Sequence, residues 1–160
     1  MNALLKKLKA IFFEYFFLVN RQTPQSITLL RVTRENIGKD ISPREDEYGC
    51  AETVNTLCVK AFGEPAGGDL STLRMYGALR QSNKWVQVSR PLPGDIIISP
   101  TGLGNGKMKN GHVGIVVEDS LIASNNSIDS LLAVNYTLAA WREQYGGLGG
   151  FPVVFFRRII

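Results

Sequence analysis

One segment constrains this chain more than any other: the run GCAETVNTLCVKAFG, which opens with Cys50. Ala51, Val54, Leu57, Cys58, Ala61 and Phe62 recur at steps of three and four, the spacing of one buried helical face. Gly63 and Pro65 stop the pattern. From about Trp85 the texture changes to short apolar runs separated by turn residues. The only histidine, His112, stands in one of those runs, NGHVGIVVE.

The order of elements follows from the same reading. Residues 1–20 read as a helix, Asn20 to Ser26 as a joint, and Ile27 to Ile37 as a second helix ended by Gly38. Lys39 to Gly49 leads into Cys50 as a loop. Ser71 can cap a further helix through about Gln81. Strands are expected at Trp85 to Val88, Ile96 to Ile98, His112 to Val117, Leu121 to Asn125, Leu131 to Val134 and Phe151 to Phe156. Leu138 to Tyr145 reads as a helix with Thr137 as its cap. Helices first and an antiparallel sheet after them make an α+β domain. With 160 residues the chain divides into an apolar, basic N-terminal helix over 1–24 and a single domain over 25–160.

Composition excludes some classes and leaves others open. The formal charge of +4 suits an anionic partner such as a bacterial wall or a membrane surface. The cations are scattered, and no nucleic-acid stripe or motif is visible, so no nucleic-acid partner is expected. Cys50 and Cys58, if they share a helix, lie about 12 Å apart along it at ~1.5 Å per residue, too far for a disulfide. One histidine and two separated cysteines make a poor zinc set, so neither a metal nor an organic cofactor is expected. Lys6, Lys7 and Lys9 precede the apolar run AIFFEYFFLV. Glu14 interrupts that run, no small-residue cleavage site follows, and it is too short to span a bilayer. It reads either as an amphipathic helix packed on the domain or as an interfacial membrane helix.

The chemistry centres on a thiol and an imidazole. A thiolate is the reactive form of cysteine, and a helix N-terminus stabilises negative charge. Cys50 is placed there, with Cys58 deeper on the same face as core. On the strand, His112, Gly114 and Val116 share one face. A two-residue turn at Asp119 and Ser120 would pair Gly114 with Asn125 and make Asn125 the diagonal neighbour of His112. A turn longer by one residue exchanges Asn125 and Asn126. An amide beside the imidazole can hold one tautomer, the orienting role in a Cys-His-Asn arrangement. The backbone N–H of Cys50 and the hydroxyl of Tyr48 are candidate oxyanion donors. Each residue also has a plainer reading: a packed cysteine, a structural histidine, asparagines in a turn, a packed tyrosine.

Together, GCAETVNTLC, PLPGDIIIS and NGHVGIVVE resemble the NlpC/P60 and CHAP cysteine hydrolases, with GCAETVN closest to the wording of CHAP-like phage and bacterial lysins. The resemblance covers about residues 45 to 126. It implies a papain-like α+β fold and cleavage of an amide bond in peptidoglycan, as an endopeptidase or an N-acetylmuramoyl-L-alanine amidase. It makes Cys50 the nucleophile, His112 the base and Asn125 the third polar residue, with Tyr48 matching the oxyanion position loosely. The implied site of action is the bacterial cell wall. Two other readings use the same residues: a non-catalytic phage structural or wall-binding module, and a membrane-surface acyltransferase helped by the N-terminal helix.

Overall fold

A computed structural model describes residues 20–42 and 49–160. The N-terminal helix expected over 1–20 lies outside the described residues up to position 19, as does Tyr48. Three helices come first: α1 over Pro24–Asn36, α2 over Gly49–Phe62 and α3 over Thr72–Gln81. Strands follow: β1 over Trp85–Val88, β2 over Ile96–Ser99, β3 over His112–Val116, β4 over Leu121–Asn125 and β5 over Leu132–Thr137. A short helix, α4 over Leu138–Trp141, runs into a wider π-type segment at Arg142–Leu148, and β6 over Val154–Arg158 closes the chain. The six strands form one antiparallel sheet in the order β1-β6-β2-β3-β4-β5. The protein is an α+β domain with helices packed on that sheet.

Local chemistry explains the helix boundaries. Helix α1 starts three residues earlier than the apolar pattern indicates, because the hydroxyl of Thr23 accepts from Ser26 N and Pro24 sits in the first turn. The hydroxyl of Ser71 accepts from Arg74 N at the start of α3, and that of Thr137 from Ala140 N at the start of α4. Both caps stand where the sequence places them. Residues 21–23 are bonded to the sheet domain. Gln22 Nε2 donates to Pro93 O, Thr23 Oγ1 to Arg158 O, and Arg157 Nη1 to Arg21 O.

Strands β2, β3, β4 and β6 are buried on both faces, and each face has its own core. One face presents Ile96, Ile98, Val113, Ile115, Ala123 and Phe156 to α1, α2 and α3. The other presents Ile97, Val116, Ile122 and Phe155 to Trp141, Tyr145 and Phe151. Alternation along each strand divides the residues this way. Gly94, in the turn before β2, has φ of 91°, and a Cβ there would fall 2.0 Å from Ser26 O. Only glycine serves at that position.

One buried ion pair joins the start of β2 to β6. Arg157 on β6 meets Asp95 through Nε to Oδ1 at 2.9 Å and Nη2 to Oδ2 at 2.6 Å, and both side chains are fully buried. Asp95 also accepts from Leu92 N, and Arg157 Nη2 donates to Arg90 O. Burial pushes the Asp95 carboxyl up, and the Arg157 guanidinium pulls it back. Breaking such a pair leaves an uncompensated buried charge. Asp95→Asn is therefore expected to cost about 3–5 kcal/mol in urea unfolding. Glu35→Ala, which removes the exposed Arg31–Glu35 pair, is expected to stay within about 0.5 kcal/mol.

Candidate active site

Helix α2 packs on β3 and β4 through Ala51, Val54, Leu57 and Cys58, all buried. That contact lays the first turn of the helix across the end of the sheet where β3 begins. Cys50 is half-buried there. The backbone N–H groups of Val113, Ala51 and Cys50 face its sulfur and favour the anion, but burial outweighs them and pushes the thiol up. Cys58, two turns deeper, is fully buried, and its thiol is pushed up to about 12 by desolvation. It belongs to the core, as its place on the apolar face indicates.

His112 is the first residue of β3, directly before the Val113 whose N–H faces the Cys50 sulfur. Its side chain lies on the opposite face of the sheet from α2, among aromatic rings. It stacks on Tyr145 at 5.6 Å between centroids and packs on Trp141 at 5.3 Å and Tyr136 at 5.9 Å. Trp141 is fixed by a bond from Nε1 to Ser99 Oγ, and the Tyr136 and Tyr145 hydroxyls meet at 3.2 Å. Burial holds the imidazole at about 4, so it is neutral near pH 7. Cys50 and His112 line one cavity of about 310 Å³, with Asn125, Asn126, Asn135 and Tyr145 among its walls.

The imidazole is oriented by a side chain that the sequence reading did not single out. Ser124 Oγ lies 3.0 Å from His112 Nε2 and donates its own proton to Asn135 Oδ1 at 2.7 Å. With its proton committed to Asn135, the hydroxyl oxygen accepts from Nε2–H. That fixes the tautomer and leaves the lone pair of Nδ1 free.

Asn125 was expected in this place, and the register explains the exchange. Val117 N donates to Leu121 O, so the turn is three residues, Glu118 to Ser120, instead of two. Val116 pairs with Ile122 and Ile115 with Ala123. Ser124 thus becomes the diagonal neighbour of His112, and Asn125 turns to the α2 face, against Gly49. Asn126 returns to the face of His112 and lines the cavity, as a longer turn requires. Asn135 lies beyond the expected end of its strand, which runs to Thr137. Tyr48 lies outside the described residues. Among the described residues no cluster of three or more His, Cys, Asp or Glu side chains could hold a metal ion.

Two measurements follow. The His112 ring protons are expected to titrate near pH 4 in proton NMR, well below the usual 6.5. A histidine held neutral by the fold binds its proton more readily when unfolded, so stability falls as pH drops from 6.5 towards 4. In nitrogen NMR the wild-type ring is expected as the Nε2–H tautomer alone. Ser124→Ala, which removes the acceptor, is expected to give a mixture.

No protein-family model matches the chain, and no curated protein matches it. Among solved structures, a chain of the type VI native effector-immunity complex Tae3-Tai3 from Ralstonia pickettii is similar. The TM-score is 0.54 at 17% identity, over 84% of this chain and 98% of that one. The likeness shows that the two chains share a fold.

Proposed function

We propose that this protein is a cysteine hydrolase that cleaves an amide bond in peptidoglycan, with Cys50 as nucleophile and His112 as base. The observation that carries this reading is the oriented imidazole. The Ser124–Asn135 relay holds Nε2–H and frees Nδ1, beside a cavity that the thiol of Cys50 also lines. Thiol and base are both uncharged at rest. The proton moves from Sγ to Nδ1 as the sulfur attacks, the thioester forms, and the amine leaves with that proton. His112 then takes a proton from water as its oxygen bonds to the acyl carbon, and returns that proton to Sγ as the C–S bond breaks and the acid leaves. Neither a metal nor a cofactor enters this sequence.

The substrate class rests on the motifs GCAETVNTLC and NGHVGIVVE and on the fold shared with a chain of an effector–immunity complex. An effector acting on a target cell's wall would cut stem-peptide or sugar–peptide amides. The site of action proposed is therefore the bacterial cell wall, and a dedicated inhibitor protein is a fitting partner.

Purified peptidoglycan incubated with the protein is expected to release muropeptides detectable by mass spectrometry, and Cys50→Ala is expected to release none. Intact peptidoglycan after wild-type treatment would overturn the substrate. Iodoacetamide labelling of Cys50 whose rate His112→Ala leaves unchanged would favour a non-catalytic wall module. Below about 4 the imidazole is protonated and cannot accept the thiol proton. At the alkaline end the thiol, raised by burial above its ordinary value of 9.0, has already lost the proton that the leaving amine needs. A broad plateau in kcat/KM between these limits is expected, with its acid limb near 4.

A further inference from the structure

Gly49 is the first residue of α2, and its φ lies outside the left-handed region. Backbone conformation therefore does not call for glycine here. Space does. A Cβ on Gly49 would fall 2.2 Å from Asn125 Nδ2 and 3.1 Å from its Cγ. The bare Cα lets the Asn125 carboxamide lie against the start of the helix, one residue before the thiol.

Asn125 is only 6% exposed, and its Oδ1 is sealed from solvent without a hydrogen-bond partner among the described residues. An orphaned buried acceptor is costly and calls for a reason. Packing supplies none that alanine or leucine would not. The imidazole supplies none either, since its relay runs through Ser124 and Asn135. Yet Asn125 lines the cavity shared by Cys50 and His112. Its Oδ1 lies further from the Gly49 side than its Nδ2, 3.7 Å against 2.2 Å from the same point. The end of the carboxamide nearest the thiol-bearing turn is a hydrogen-bond donor.

We propose that Asn125 is a catalytic residue whose Nδ2 donates to the substrate carbonyl oxygen as it becomes an oxyanion, alongside the backbone N–H of Cys50. This rests on Cys50 being the nucleophile. A sulfur lone pair forms the C–S bond while the thiol proton passes to His112 Nδ1. The carbonyl π pair moves onto oxygen, where the two N–H groups hold it. The pair then returns, the C–N bond breaks, and the amine departs with the proton from Nδ1. Donors fixed in place before the charge develops are the kind that lower such a barrier most.

Two probes of Cys50 separate this role from others. Iodoacetamide alkylates sulfur by displacement and builds no oxyanion. The peptide aldehyde acetyl-alanyl-alaninal adds to sulfur and places an oxygen where the oxyanion forms. Asn125→Ala and Asn125→Asp, folded by circular dichroism, are expected to weaken the aldehyde about tenfold or more. They are expected to slow peptidoglycan turnover by roughly 10²–10³-fold. Iodoacetamide alkylation should keep its rate and pH dependence. Gly49→Ala, which pushes the carboxamide aside while leaving Asn125 in the chain, should weaken the aldehyde in the same direction. Unchanged aldehyde affinity in the Asn125 variants overturns the proposal. So does alkylation that falls in step with it, which would mean that Asn125 supports the thiol or the imidazole. So does a wild-type thiol that alkylates but binds no aldehyde. A wild-type protein that binds aldehyde through Asn125 yet leaves peptidoglycan intact upholds the oxyanion site and overturns only the substrate class.

Discussion

The apolar face of α2 is buried against β3 and β4, and the position of the sulfur follows from that contact. Ala51, Val54, Leu57 and Cys58 meet a sheet face built from Val113, Ile115 and Ala123. Burying side chains of this size contributes about 1.5–3 kcal/mol each for the larger ones. The helix therefore cannot turn on its axis without exposing its core residues. Cys50 has no freedom of its own: its place on the helix end, and the sheet end beneath it, are set by residues that do no chemistry.

Burial has a second effect at the site. The helix N-terminus and three backbone N–H groups favour a thiolate, and desolvation opposes them and prevails. The same desolvation holds the imidazole neutral. A resting ion pair is replaced by a resting neutral pair, so charge appears only as the reaction proceeds. In such a site, fixed dipoles matter most at the moment of charge separation. The polar relay from His112 through Ser124 to Asn135 fits that economy: it sets a tautomer without adding a charge.

Much of this was legible in the sequence. The three-and-four spacing after Cys50 gave the helix and its buried face. Gly63, Ser71 and Thr137 marked boundaries through backbone chemistry that acts locally, and the alternation around His112 marked a strand. What was not legible depended on one turn. Glu118, Asp119 and Ser120 read equally well as two or three turn residues, because both are compatible with polar side chains at the tip. That single residue of register decides whether Ser124 or Asn125 faces the imidazole. Asn135 escaped notice because a polar residue near a strand end resembles a turn. The pairing of Asp95 with Arg157 is likewise invisible along the chain, since the two stand 62 positions apart.

The sulfur belongs to the helical layer and the imidazole to the layer behind the sheet, so the two reactive groups meet only around the sheet's end. A slip of α2 along its own axis would carry the thiol past the imidazole, and it would also have to drag the buried Val54, Leu57 and Cys58 across the sheet face. Asn125, lodged in the notch left by Gly49, adds a second obstacle to that slip. Catalytic alignment in this fold is thereby a mechanical property, held by the fit of a side chain into a missing one.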